Sequence, residues 1–345
     1  MTSPLADERT DFEPGPLGGV TRAAAQRRHA PSLFWSRLGR AVGRQALPAL
    51  IVTALIAGAG IAFDLTGGVP LRSAAVFWGP LGLGIGLILA AALEISRNTV
   101  TSLSSFGQHR GYSILGAAPQ LTEKTLRQLP PDKRNPQGCV AFQPASPFAT
   151  AFRDLQGALN EPVVSFISSL SDEGATMAAL CTAMSATQQG RNVIVVDCDL
   201  RRRSLSRTLG DDPEEGVLEA CAEPQAWRNF IAEEPETGLH YLPAAKMRNP
   251  WRSLMGSAGF EALLQELTSA YDLVVLDCPP ALASAEGAVI AGLADKCVVL
   301  AAWDRTRLDT IRQTMRAVQR RSGAATGVYV NLVPPQYRFG RLRPD

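Results

Sequence analysis

The chain is short of lysine. Of its 34 Lys and Arg residues only Lys124, Lys133, Lys246 and Lys296 are lysine, which leaves 30 arginines in 345 residues. Histidine is scarcer still, with three, none of them near a cysteine. The six cysteines (139, 181, 198, 221, 278 and 297) form no CxxC pair, so zinc-ligand spacing is absent. Three of them lie in or beside apolar strand-like runs, where cysteine acts as a small core hydrophobe. A disulfide framework is therefore not expected, and a reducing cytoplasm fits. Excess charge is missing as well: 34 − 32 leaves +2, too little to argue for nucleic acid. With 46% hydrophobic and 19% charged residues, the chain is not mainly disordered or coiled coil. No apolar run begins before residue 46, so no secretory leader is expected.

What is present begins with two charge-free apolar runs, Ala46 to Phe63 and Ala74 to Leu93. About 20 apolar residues cross a bilayer core, and both runs approach that length. Asp64 to Ser73 separate them, with Gly67, Gly68 and Pro70 supplying a turn. The pair reads as a transmembrane helical hairpin; two buried core helices are the alternative. Arg22, Arg27, Arg28, Arg37, Arg40 and Arg44 precede the first run, Arg97 and Arg110 follow the second, and only Arg72 lies between them. That asymmetry places both termini in the cytoplasm. Residues 1–45 read as a flexible Arg-rich cytoplasmic tail, 46–95 as the hairpin, and 96–149 as a juxtamembrane segment and Pro-rich linker. The arginines of the tail serve topology or bind anionic lipid.

Residues 150–333 read as the soluble domain and 334–345 as a C-terminal tail. Strand-like runs are PVVSFIS (162–168), NVIVVD (192–197), LHYLP (239–243), DLVVLD (272–277), KCVVLAA (296–302) and GVYVNLV (327–333). Helical patterns fall between them, over 175–188, 260–270 and 306–321. Continuous rather than alternating apolar runs predict strands buried on both faces. Alternation with helices predicts an α/β fold with a doubly wound, mostly parallel sheet. Ligands of such sheets sit at the carboxyl ends of the strands.

The first strand ends in ISSLSDEGAT. A P-loop reads GxxxxGK[ST], in which glycines let backbone N–H groups wrap phosphates, lysine reaches them, and the hydroxyl meets Mg²⁺. Gly174 and Thr176 hold the last glycine and the hydroxyl position; Ala175 stands where lysine would be. Asp172 and Glu173 put two carboxylates into a loop meant for a polyanion. The next strand delivers Asp197 and Asp199, followed by Arg201, Arg202 and Arg203, and a later one ends on Asp277. Alternate residues of an extended chain point the same way, so Asp197 and Asp199 can face one Mg²⁺ site, with Asp277 as a Walker-B-like acid. The competing reading is that each aspartate caps a following helix.

VIVVDCDLRRRS and YDLVVLDCPP resemble the Walker A′ and Walker B segments of the bacterial tyrosine kinases, or BY-kinases, and their co-polymerase membrane hairpins. That family serves capsule and exopolysaccharide export. Weaker likenesses cover YSILGAAPQL, GVLEACA (216–222), LHYLPAA (239–245) and NPWRSL (249–254). The resemblance runs over residues 46–333 and implies a MinD-like P-loop NTPase fold at the inner membrane, with two spans. It implies ATP or ADP with Mg²⁺ as cofactors, and Asp172, Glu173, Gly174, Ala175 and Thr176 as the nucleotide loop. Thr176, Asp197 and Asp277 would hold the metal, and Asp197, Asp199 and Asp277 would be catalytic. Three departures accompany it: Ala175 for lysine, a single tail tyrosine (Tyr337) in place of a cluster, and a ring motif reduced to Arg153 between Thr150 and Gln156. Together they imply a pseudokinase, weak or inactive, acting as scaffold or regulator. Its partners would be the polysaccharide polymerase and export machinery, or a fuller co-polymerase or kinase, in a homo- or hetero-oligomer without nucleic acid. The alternatives are an active protein-tyrosine autokinase in which Arg201 or Arg202 replaces the lysine charge, and a MinD/ParA-like positioning ATPase.

Overall fold

The computed structural model describes residues 31–68, 70–96, 99–100, 113–246, 258–320 and 324–335. It divides into two compact units, Met1–Arg97 and Asn98–Asp345.

In the first unit, helices α1 (Pro31–Thr66) and α2 (Leu71–Ser96) meet through a turn at Gly67 and Gly68. Gly68 has φ +80°, a left-handed conformation that favours glycine. The helices pack through small residues. A Cβ on Gly82 would lie 2.8 Å from the Thr53 carbonyl, and one on Gly86 would strike the Thr53 hydroxyl. Such close approach is how apolar helices associate without a hydrophobic gain between them. At the turn end, Trp78 Nε1 donates to Asp64 Oδ2 at 2.9 Å. Apolar side chains point outward: Phe63 is 75% exposed, Val76 76% and Ile88 71%. Helices buried in a soluble core would hide these groups. Ala49–Thr66 and Leu71–Ala90 are long and apolar enough to cross a membrane, with mean hydropathies of 2.0 and 1.8. One expectation needs correcting, because helix already begins at Pro31 and residues 31–45 are not an irregular tail. The tail reading of residues 1–30 lies outside the described residues.

The second unit is a single eight-stranded sheet. Its strands are β1 (Ser113–Pro119), β2 (Val163–Ser168), β3 (Val193–Asp197), β4 (Ala232–Glu234), β5 (Leu239–Leu242), β6 (Leu273–Asp277), β7 (Lys296–Ala302) and β8 (Ala325–Val333). They lie in the order β1-β8-β7-β2-β6-β3-β5-β4, all parallel except the β4–β5 pair. The two faces carry two cores. Ile194 and Val196 of β3 join one with Phe260, Leu263 and Met315. Val193 and Val195 join the other with Phe152, Leu180 and Tyr329. Strand residues alternate between these cores, which is why the runs read as continuously apolar.

Residues 121–147, read as linker, instead carry short helices: α3 (Glu123–Leu126) and α4 (Pro136–Phe142), leading into α5 (Pro147–Gly157). Thr122, Asn135 and Ser146 cap them by accepting backbone N–H groups, and the prolines of α4 and α5 occupy the first turn, where no N–H is needed. Proline content there marks helix starts rather than an unstructured tether. β1 escaped detection because GAAP is a poor strand sequence. As an edge strand it nonetheless pairs parallel with β8, and Gly116 (φ +146°) admits the Tyr329 ring beside it.

Candidate functional site

The chemistry collects at the carboxyl ends of β2, β3 and β6. β2 lies between β6 and β7, with Phe166 in register with Asp277. After Ser168 the chain turns through residues 169–174 and enters helix α6 (Ala175–Gln188). Two left-handed residues make the turn: Asp172 at φ +62° and Gly174, the N-cap, at φ +94°. A side chain on Gly174 would also strike the Asn331 amide, whose nitrogen donates to the Glu173 carbonyl at 3.2 Å. Glycine is required there twice over.

The two carboxylates of this loop part company. Asp172 is exposed at the rim, whereas Glu173 is 3% exposed and turned inward. Glu173 Oε2 accepts the backbone N–H groups of Ser169 (2.8 Å) and Leu170 (3.0 Å), and Oε1 accepts the Thr306 hydroxyl. Thr306 in turn accepts the Ala302 N–H at 2.8 Å, so the turn after β7 is tied to the loop. Burial raises the Glu173 carboxyl above its ordinary value, and these hydrogen bonds offset part of that. Glu173 is thus a brace beneath the loop. Its location was legible from spacing; its role was not, because Thr306 lies 133 residues away.

Asp197 and Asp277 stand side by side, paired in register at the tips of neighbouring parallel strands. Asp197 is engaged locally. Its Oδ2 accepts the Ser206 N–H (3.0 Å) and hydroxyl (2.8 Å), and its Oδ1 accepts the Asp199 N–H (3.2 Å). Burial pushes its carboxyl up to about 6 despite those donors. Asp199 serves the following turn, accepting the Arg202 N–H at 3.1 Å and the Ser204 hydroxyl at 3.3 Å. Neither acid is the N-cap of the following helix (Ser204–Thr208), which is Arg203; Asp197 satisfies one N–H of that helix, at Ser206, and Asp199 satisfies one of the turn before it.

Asp277 differs from both. It is fully buried, and neither carboxylate oxygen has a hydrogen-bond partner among the described residues. Burial, and then the neighbouring Asp197, drive its carboxyl well above the usual range, with the nearby Thr176 hydroxyl pulling the other way. A buried polar group left unpartnered costs about 1–3 kcal/mol. Sites kept at such a cost are characteristically functional. The expected three-acid cluster is not seen: among the described residues no three His, Cys, Asp or Glu side chains converge on one cation position. What does converge is Asp277, Asp197 and the start of α6 with Thr176.

The arginines after β3 also divide. Arg201 and Arg202 are exposed. Arg203 is 4% exposed, with Nε donating to the Ala244 carbonyl at 2.9 Å and its guanidinium paired to Asp212. It pins the turn after β3 to the end of β5. An arginine that does touch the glycine loop is Arg305, whose Nη1 donates to the Asp172 carbonyl at 3.4 Å. Of the reduced ring motif, Arg153 is exposed, Thr150 half-buried and Gln156 buried. NPWRSL and Tyr337 lie outside the described residues.

Tested against a Mg²⁺–nucleotide, the site fits on one side only. An open-handed acid beside a helix-opening glycine turn suits the metal, while Ala175, 7% exposed, gives the phosphates no charge.

No family model matches the chain. Among curated proteins it is 26% identical over 273 residues to the "Putative tyrosine-protein kinase EpsB" of Ralstonia solanacearum, covering 76% of this chain and 36% of that one. It is 24% identical over 280 residues to the succinoglycan biosynthesis transport protein ExoP of Rhizobium meliloti, covering 73% and 36%. The chain thus spans little more than a third of these relatives' length. Among solved structures, the kinase domain of the Escherichia coli tyrosine kinase ETK superposes with TM-score 0.59 at 20% identity, over 69% of this chain and 97% of that domain. The BceF tyrosine kinase domain gives 0.58 at 19%, over 68% and 100%. These structures share the fold.

Proposed function

We propose that this chain is a membrane-anchored BY-kinase-like protein with a MinD-type P-loop fold, serving exopolysaccharide polymerisation and export, whose own kinase site is weak or inactive. It would sit in the inner membrane through α1 and α2 with both termini cytoplasmic. There it would act as scaffold or regulator beside a polymerase, an exporter or a fuller kinase. One observation carries the reading: the metal side of the site survives in Asp277, with both oxygens unpartnered, while the lysine of the phosphate side is Ala175. Bound Mg²⁺–ATP would bring a transferable phosphoryl group. Toward it this chain offers Thr176 and the two aspartates, Asp197 and Asp277, around the glycine turn. Phosphoryl transfer rests on positioning and charge stabilisation, and the second is what this loop has lost.

The experiment is Mg²⁺–ATP binding by the full chain and by Ala175→Lys. A charged hydrogen bond contributes about 1.5–3 kcal/mol. The substitution should therefore tighten binding roughly tenfold to a hundredfold. If wild type binds tightly and Ala175→Lys weakens it, the lysine-free loop is competent and the pseudokinase reading fails. Arg305 is the specific observation favouring that second, active-kinase reading, because its guanidinium touches the loop whereas Arg201 and Arg202 are simply exposed.

A further inference from the structure

Helix α11 (Leu308–Gln319), which follows α7 (Ser204–Thr208), α8 (Val217–Ala222), α9 (Ala258–Ala270) and α10 (Ala285–Ala291), has a face that the nucleotide site leaves unused. Ile311, Thr314, Met315 and Val318 are buried, so an i, i+3, i+4, i+7 stripe commits one side to the core. On the outer side Arg312, Arg316 and Arg320 recur every fourth residue and share a face. Arg316 and Arg320 are exposed and have no ion-pair partner among the described residues. The preceding turn adds exposed Arg305 and Arg307. Against these five stand two acids. Asp309 bonds Arg312 at 3.1 Å and lies 3.7 Å from Arg307, and Asp304 accepts the Thr99 hydroxyl at 3.3 Å. The stripe is therefore strongly basic on a chain whose net charge is only +2.

The turn that starts this stripe is also where the chain arrives from α2. Thr99 forms an antiparallel bridge with Arg307. The Val100 N–H donates to the Thr306 carbonyl at 3.0 Å, and the Asp304 N–H donates to the Val100 carbonyl at 2.7 Å. Val100 is fully buried. Only Arg97 and Asn98 separate Thr99 from Ser96, the last residue of α2. A membrane-spanning α2 thus delivers the chain to an arginine-bearing turn within three residues.

We propose that the arginine face of α11 binds the anionic phospholipid surface of the membrane that anchors the chain. The inference rests on the anchored reading given above. Guanidinium groups pair phosphate oxygens in a fixed two-pronged geometry, which suits lipid phosphates. A covalent tether makes that surface an intramolecular partner, present at high effective concentration, whereas nucleic acid or an acidic protein would have to be recruited from solution. Basic residues beside a span read as contacts to anionic lipid for the same reason. The consequence is orientational: the soluble unit would be held against the bilayer on its α11 side instead of turning freely on its tether.

The test places an environment-sensitive fluorophore at Gln313→Cys, exposed on the same helix, in the full chain reconstituted into vesicles. The vesicles contain phosphatidylcholine alone, or phosphatidylcholine with phosphatidylglycerol, and carry a headgroup-attached quencher. A second fluorophore position, Glu233→Cys on the far edge strand β4, is the control. Quenching at 313 should appear only with phosphatidylglycerol and fade with added salt. At about fivefold in population per arginine, Arg312→Gln with Arg316→Gln and Arg320→Gln should cut the bound population roughly a hundredfold. Equal quenching in both lipids, equal quenching at 233, or no effect of the triple variant overturns the proposal, the last pointing to a protein or nucleic-acid partner for the face. Flotation of the vesicles separates the two failures. A chain that does not float refutes the anchor, and one that floats without quenching at 313 refutes only the lipid contact.

Discussion

Asp277→Asn in the full chain should stabilise the protein and remove its response to magnesium. Burial holds the Asp277 and Asp197 carboxyls above their ordinary values, Asp197 at about 6 and Asp277 well above the usual carboxylate range. Both folded values exceed the unfolded ones, so the folded state keeps protons that the unfolded chain has released. The stability these groups contribute is complete below about pH 4 and is lost as pH rises through the folded values. For Asp197, the rise from 3.8 to about 6 corresponds to about 3 kcal/mol. Asparagine keeps the shape of Asp277 and cannot ionise. Asparagine removes the cost of holding a buried carboxyl against ionisation, so the variant should be more stable than wild type near pH 7.5. A gain of about 2 kcal/mol in a domain of this size raises Tm by about 4–8 °C. The assay is thermal unfolding in detergent between about pH 5 and 8, with and without Mg²⁺, following the window set by those pKa values. Wild type should lose Tm as pH rises and recover part of it with Mg²⁺, because a cation compensates the ionised pair. Asp277→Asn should show a flatter profile and no magnesium gain. If wild type became more stable with rising pH, or the variant were less stable without Mg²⁺, the two acids would be structural and the metal side of the site would be gone.

Other perturbations separate brace from site and test the anchor. Glu173→Gln keeps an oxygen for the Ser169 and Leu170 N–H groups and should be mild, while Glu173→Ala strands both and should cost about 2–4 kcal/mol by chemical denaturation. Equal costs would show that the carboxylate braces nothing. Reporter fusions at residues 20 and 120 should both read cytoplasm, and one within 66–72 the far side, following the arginine asymmetry. Opposite readings at 20 and 120 would mean a single span. Deleting the gene should lower surface or secreted polysaccharide, whereas Tyr337→Phe should leave most of it, since one phosphate adds only about −1.5 to −2 charge. Equal loss would favour the autokinase reading.

Sequence reading reached the centre of the sheet and stopped at its edges. β2, β3, β6 and β7 are buried on both faces, and burial writes itself into Val/Ile/Leu runs. β1 and β4 are edge strands with one neighbour each, so their sequences, SILGAAP and AEE, answer to weaker demands. The helices of 123–157 were hidden by their own start signals. Pro136 and Pro147 read as breakers until Asn135 and Ser146 are seen accepting N–H groups just before them.

The site was legible as an address and less so as a division of labour. Strand ends singled out Asp197, Asp199 and Asp277 as candidates, and periodicity alone made them equivalent. They are not equivalent. What distinguishes them is Ser206, whose N–H and hydroxyl occupy Asp197, and Ser204 and Arg202, which occupy Asp199. No comparable donor follows Asp277: the Cys278 N–H donates to the Phe166 carbonyl at 3.0 Å, and Pro279 and Pro280 have no N–H to give. The sequence CPP after β6 thus carries the missing signal. An acid followed directly by residues that cannot cap it is left with its oxygens open, and that open pair is the feature on which a divalent cation would act.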